Sequence, residues 1–117
     1  MKTTLRQAYL AAFQILDEIF DETKNEKLGN FLSGMNPYLF SDSMSADPAT
    51  WHEWTACAEK VSTDEMYENS DVLVIVNMFL QLNQKQYDFD MNWFAELLNK
   101  KIQDGRWEEI FQKAVTV

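Results

Sequence analysis

The chain has 117 residues, 46% of them hydrophobic, with four Trp, four Tyr and eight Phe against three Gly and two Pro. This is the size and balance of one compact domain of long regular elements, and it excludes a disordered chain. One cysteine, Cys57, excludes an intramolecular disulfide; no basic, apolar and small-residue leader is visible, and the longest apolar run, Val72 to Val76, falls far short of the roughly 20 residues that cross a bilayer, so a cytosolic protein is expected. The formal charge of −9 is concentrated in residues 17 to 71, where 13 acids face three bases, and such a field disfavours nucleic acid and anionic membrane while speeding encounter with a basic protein.

Leu5, Ala8, Tyr9, Ala12, Phe13, Leu16, Ile19 and Phe20 recur at spacings of three and four, which predicts an amphipathic helix over residues 4 to 23. On its outer side Gln14, Glu18 and Glu22 align at i, i+4 and i+8 with Asp17 and Asp21 alongside, forming an anionic ridge. Those acids crowd the C-terminal half of the helix, where the macrodipole costs a few tenths of a kcal/mol each. A short helix after Thr23-Lys24-Asn25 carries Leu28, Phe31, Leu32 and Met35 inward, until Gly34 and Asn36-Pro37 interrupt it. Residues 36 to 46 read as a loop: Tyr38, Leu39 and Phe40 are apolar enough to lie over the core, and Ser41 to Ser45, with Asp42, form its polar tip.

"ADPATW" is a helix start, with Asp47 as N-cap and Pro48 at the first helical position, where a missing N–H costs nothing. In that helix Trp51, Trp54, Ala58 and Val61 form an inward line, with His52, Glu53 and Glu59 outside it. Ser62-x-x-Glu65 has capping-box spacing and predicts the next helix start, with a break near Asn69-Ser70-Asp71 where Ser70 could recap. Val72-Leu73-Val74-Ile75-Val76 alone resembles a buried strand, but the apolar pattern runs on through Met78, Phe79, Leu80 and Leu82. Its length predicts a central helix buried nearly all round. Asp88 or Asp90 then caps a helix holding Met91, Phe94, Leu97, Leu98 and Ile102, ended by Asp104-Gly105, and a last helix from about Trp107 packs Ile110, Phe111 and Ala114. The expected fold is all-α, a single-domain bundle of about five to six helices spanning residues 1 to 117.

Chemistry is sparse. His52 and Cys57, five positions apart, lie about 500° apart around a helix, off a shared face, so they make neither a metal site nor a nucleophile and base. His52-Glu53 lacks the second histidine of H-E-x-x-H, and the three glycines form neither G-x-G-x-x-G nor a P-loop. Carboxylates at i, i+4 on one helix do not face each other across a cleft as a glycosidase requires. No catalytic residue, metal or cofactor is therefore expected. Cys57 reads as a small core residue beside Trp54, and His52 as a solvated or partner-facing one.

The succession "DETKNEKLGNFLSGM", an apolar loop and "ADPATWHEW" resembles small acidic helical immunity proteins encoded beside bacterial polymorphic toxins, including contact-dependent growth inhibition systems. The resemblance spans residues 8 to 60 and rests on Thr23, Leu28, Gly29, Met35, Ala46, Asp47, Pro48, Ala49, Trp51 and Trp54. Relatives often place a glycine turn before the Ala-Asp-Pro, where this chain has Ser43-Met44-Ser45. The matching positions are mainly packing and capping residues. The resemblance implies a cytosolic protein, not an enzyme, that binds a co-encoded toxin domain and blocks it. The acids Asp17, Glu18, Asp21, Glu22, Glu26, Asp42 and Glu53 are the candidate partner-binding residues. A helical adaptor for another basic protein is the alternative, and a small enzyme using Cys57, His52 or paired acids is a third.

Overall fold

In chain order the elements of the computed structural model, which describes residues 2–36 and 48–115, are β1 (Lys2–Thr4), α1 (Leu5–Thr23), α2 (Glu26–Met35), α3 (Pro48–Val61), β2 (Met66–Glu68), α4 (Asn69–Leu82), α5 (Gln84–Tyr87), α6 (Met91–Gln103) and α7 (Arg106–Val115). The fold is thus mostly helical, as the periodicity predicts. The described residues form seven helices rather than five or six, α5 being a single turn, together with a ribbon that the hydrophobic pattern does not signal. The two strands pair antiparallel, Lys2 opposite Glu68, Thr3 opposite Tyr67 and Thr4 opposite Met66.

The ribbon replaces the expected helix start at residue 62. Ser62 Oγ does accept a backbone N–H, from Asp64, but only as a local turn (3.1 Å). The chain then extends through Met66–Glu68, and Glu68 rather than Ser70 is the N-cap of α4, its backbone N–H donating to Asp71 Oδ2 at 3.2 Å. Val72 to Val76 lies wholly within α4, which settles its helix-or-strand ambiguity. At the other helix starts, Thr4 and Gln7 form a reciprocal capping box for α1. Asn25 caps α2, and Asp90 rather than Asp88 caps α6; each accepts orphan first-turn N–H groups. Helix α3 begins at Pro48, while its expected cap Asp47 and the loop with Tyr38, Leu39 and Phe40 lie outside the described residues.

The most deeply buried helix is α1, and α4 is not buried nearly all round as its pattern predicts. Ala8, Ala11, Ala12, Ile15, Leu16 and Ile19 have no exposed surface, and Tyr9, Leu10 and Phe13 are buried too. Its most extensive packing is against α7, which covers a second side, and α2, α3, α4 and the ribbon also touch it. By contrast, α4 leaves Val74 49% and Leu82 58% exposed. Ile102, expected inside, is 42% exposed, and Lys101 is buried in its place.

Aromatic contacts tie the helices together across the core. Tyr9 of α1 meets Trp51 and Trp54 of α3, at 5.2 and 5.5 Å between centroids, and Trp54 meets Phe79 of α4 at 5.4 Å. Phe79 continues to Phe31 of α2, which meets Tyr87 and Phe89, and Phe89 meets Phe94 of α6. These mostly edge-on geometries suit the ring quadrupoles and fix helix positions beyond what area burial alone does. The Tyr9 hydroxyl donates to the Met35 carbonyl, so the end of α2 is pinned to α1.

Candidate functional site

Two stripes of side chains face each other where α1 and α2 meet. Phe13, Asp17, Phe20 and Lys24 lie at i, i+4, i+7 and i+11 along α1 and its C-cap, and Glu26, Gly29, Asn30, Ser33 and Asn36 run along α2 and its end. With Leu32 they line an open groove of about 500 Å³. Its floor is apolar, from Phe13, Phe20 and Leu32, and its rim carries the carboxylates of Asp17 and Glu26. Neither carboxylate has an ion-pair partner among the described residues.

The groove owes its form to two local features. A Cβ on Gly29 would come within 2.7 Å of Phe20 Cε1, so glycine lets the Phe20 ring pack close against α2. The turn between the helices is made by Lys24 in the left-handed region, φ 54°, whose N–H donates to the Phe20 carbonyl and closes α1. That turn folds the Lys24 side chain back: its ammonium sits 5.6 Å from the Phe20 ring centroid and 3.1 Å from Asp21 Oδ1. One cation of the chain itself therefore occupies the edge of the groove, held by a ring face and a carboxylate.

The seven candidate acids are not one surface. Asp17 and Glu26 line the groove, with Asp21 beside it through Lys24. Glu18 and Glu22 turn the other way, toward the C-terminal helices. Glu18 Oε1 accepts from Arg106 Nε at 2.9 Å, Glu18 Oε2 lies 3.5 Å from Lys101 Nζ, and Glu22 Oε1 accepts from Lys101 Nζ at 2.5 Å. Hydrogen bonding and the charge of Glu18 raise the Arg106 pKa, with Glu109 adding to it. The Lys101 side chain is only 9% exposed and Glu18 25%, so this cluster fastens α1 to α6 and α7. Glu53 is half-buried and accepts from Asn83 Nδ2 at 3.1 Å, joining α3 to the α4–α5 junction. Asp42 lies outside the described residues.

Further along, Glu59, Asp64, Glu65 and Glu68 are exposed. Burial pushes the Tyr67 hydroxyl pKa up, and the nearby charges of Glu59 and Asp64 push it further. His52 is exposed and Cys57 buried, 5% accessible, with its thiol raised chiefly by burial, against Lys60, which lowers it, while Glu53 adds to the rise. Among the described residues no three His, Cys, Asp or Glu side chains converge as metal ligands, and no helix is long and apolar enough to cross a membrane.

Of the groove residues only Asp17 and Glu26 have a binding role in the sequence pattern; Phe20, Lys24 and Gly29, which shape the groove, have none. The α1 periodicity places Phe20 in the core, where it is only partly buried. The signal that could have found the groove is the i, i+4, i+7 run of Phe13, Asp17 and Phe20, an acid set into an apolar stripe. Comparison with family models, with curated proteins and with solved structures finds no match.

Proposed function

We propose that this protein acts by binding rather than by catalysis: it is an immunity protein that sequesters a basic, co-encoded toxin domain in the cytosol, without metal or cofactor and without nucleic acid or membrane as target. The observation that carries this reading is the groove with its two rim carboxylates, neither with an ion-pair partner among the described residues, set in the stretch of 13 acids against three bases. An apolar floor ringed by anionic charge supplies both parts of a protein interface, desolvated contact at the centre and steering at the edge. The similarity of residues 8 to 60 to immunity proteins supports the toxin as the partner, and the helical adaptor for another basic protein is the second reading. Within the acidic surface, Asp17, Asp21 and Glu26 are proposed to meet the partner, while Glu18 and Glu22 hold the fold.

Co-expression tests the proposal. Cells producing the toxin domain encoded next to this protein's gene are expected to survive only when the protein is present, and purified toxin should form a stoichiometric complex with it. Death despite its expression, with the protein folded and soluble, would reject the immunity role for that pair.

A further inference from the structure

We propose that the α1–α2 groove is a socket for one arginine side chain of the protein partner, and that Lys24 is a tethered cation that competes for it. The inference deepens the binding function proposed above and rests on it for the identity of the partner, but not for the chemistry of the socket.

Three features converge on a guanidinium. The Phe20 ring lines the groove and carries a cation over it, Lys24 Nζ at 5.6 Å from the centroid, while Gly29 beside it adds no side chain, a Cβ there standing 2.7 Å from Phe20 Cε1, and an aromatic face attracts a planar cation. Asp17 on α1 and Glu26 on α2 line the same groove from opposite helices, with no ion-pair partner among the described residues. Phe13 and Leu32 extend the apolar floor, matching the methylene stem that arginine lays along apolar surface while its head stays with the charges. The chain itself sets one cation against this ring from the groove edge: Lys24 Nζ lies over Phe20 at 5.6 Å, paired with Asp21 at 3.1 Å.

The other surface features carry less. The depression over Leu73, Ile102 and Trp107, about 440 Å³, is flanked by Glu68 and Glu108, but Glu108 already accepts from Asn69. The Lys101 cluster is internally paired.

The test is a proton–nitrogen correlation NMR titration of the full chain with N-acetyl-arginine amide, with N-acetyl-norleucine amide as the neutral probe of similar length. Saturable shifts are expected at the amides of Phe20, Lys24, Gly29, Asn30 and Ser33, with a Kd on the order of 1 to 10 mM for so small a ligand, and none from norleucine. Asp17→Asn combined with Glu26→Gln should weaken arginine binding about threefold or more. Lys24→Gly suits the left-handed turn, so the fold is retained, and it should tighten binding about twofold or more by vacating the ring face. Shifts centred on Glu59 to Asp71 or on Leu73 and Ile102 would overturn the socket, as would equal shifts from norleucine or no saturation by about 50 mM. The two proposals fail separately. Arginine binding here without protection of cells would remove the toxin and leave the socket; full protection and unchanged toxin affinity in the Asp17→Asn, Glu26→Gln protein would keep the toxin and remove the socket.

Discussion

Trp54 shows how much one side chain can hold. It is fully buried, and its ring meets Tyr9 and Phe79 edge-on, so it joins α3 to α1 and α4. Trp54→Ala should cost about 3 to 5 kcal/mol, the range for deleting a large buried aromatic. Its indole Nε1 is buried with no hydrogen-bond partner among the described residues, and an orphan donor forfeits a desolvation penalty on the order of 1 to 3 kcal/mol. Trp54→Phe therefore removes volume and a penalty together and should cost only about 1 kcal/mol. Urea unfolding of the two variants measures this directly, and equal losses would show that the N–H is satisfied. The inward role of Trp54, the burial of Cys57 and the exposure of His52 are all legible from position on a 3.6-residue wheel. Lys101 is not. A wheel places charged residues outside, and only the distant partners Glu18 and Glu22, 83 and 79 positions away in the chain, make its burial tolerable.

At the level of elements, the helices are legible because each supplies its own period, and the length of the pattern around Val72 to Val76 is enough to place that run in a helix. The ribbon is hidden for the opposite reason: strands of three residues, 64 positions apart, have no period to read, and each exists only because the other does. The order of centrality also differs from what composition suggests. Composition favours α4, with its unbroken valines and isoleucine, but α1 carries Ala8, Ala11 and Ala12, fully buried small residues that suit the close packing of α1 against its neighbours, α7 above all. The anionic ridge on α1 splits for the same reason, since α6 and α7 cover one of its edges. That split makes a prediction that the sequence alone would reverse. Glu18→Lys would set a third cation beside Lys101 and Arg106, whose nitrogens already share the Glu18 carboxylate. The variant should lose about 2 to 4 kcal/mol of stability, because it leaves a buried ammonium facing like charge. Asp17→Lys, at an exposed groove position, should stay within about 0.5 kcal/mol of the parent. Thermal or urea denaturation ranks the pair; equal stability would show that the cluster does not fasten α1 to the C-terminal helices.

For the whole molecule, the near-neutral C-terminal half contributes Lys101 and Arg106 to the cluster that occupies Glu18 and Glu22, so the outward field is set by what remains. Asp17, Asp21 and Glu26 lie around the groove, and Glu59, Asp64, Glu65 and Glu68 stand beyond it, from the end of α3 to the ribbon. A basic partner approaching such a surface is drawn in at long range, and only the charges near its landing point then hold it. Association should accordingly slow as ionic strength rises past about 0.15 M, where the screening length is about 8 Å, while dissociation changes less. Reversing Asp17 and Glu26 to lysine should slow association and hasten dissociation together, since those two carboxylates both steer and touch. Reversing Glu59 and Asp64 should slow association through the field while leaving dissociation near the parent value. Stopped-flow or surface-binding kinetics with the toxin domain proposed as the partner separate the two rates. If the Glu59 and Asp64 pair changed dissociation more than the Asp17 and Glu26 pair, the landing point would belong to the surface between α3 and the ribbon, and the groove would be left as an electrostatic bystander.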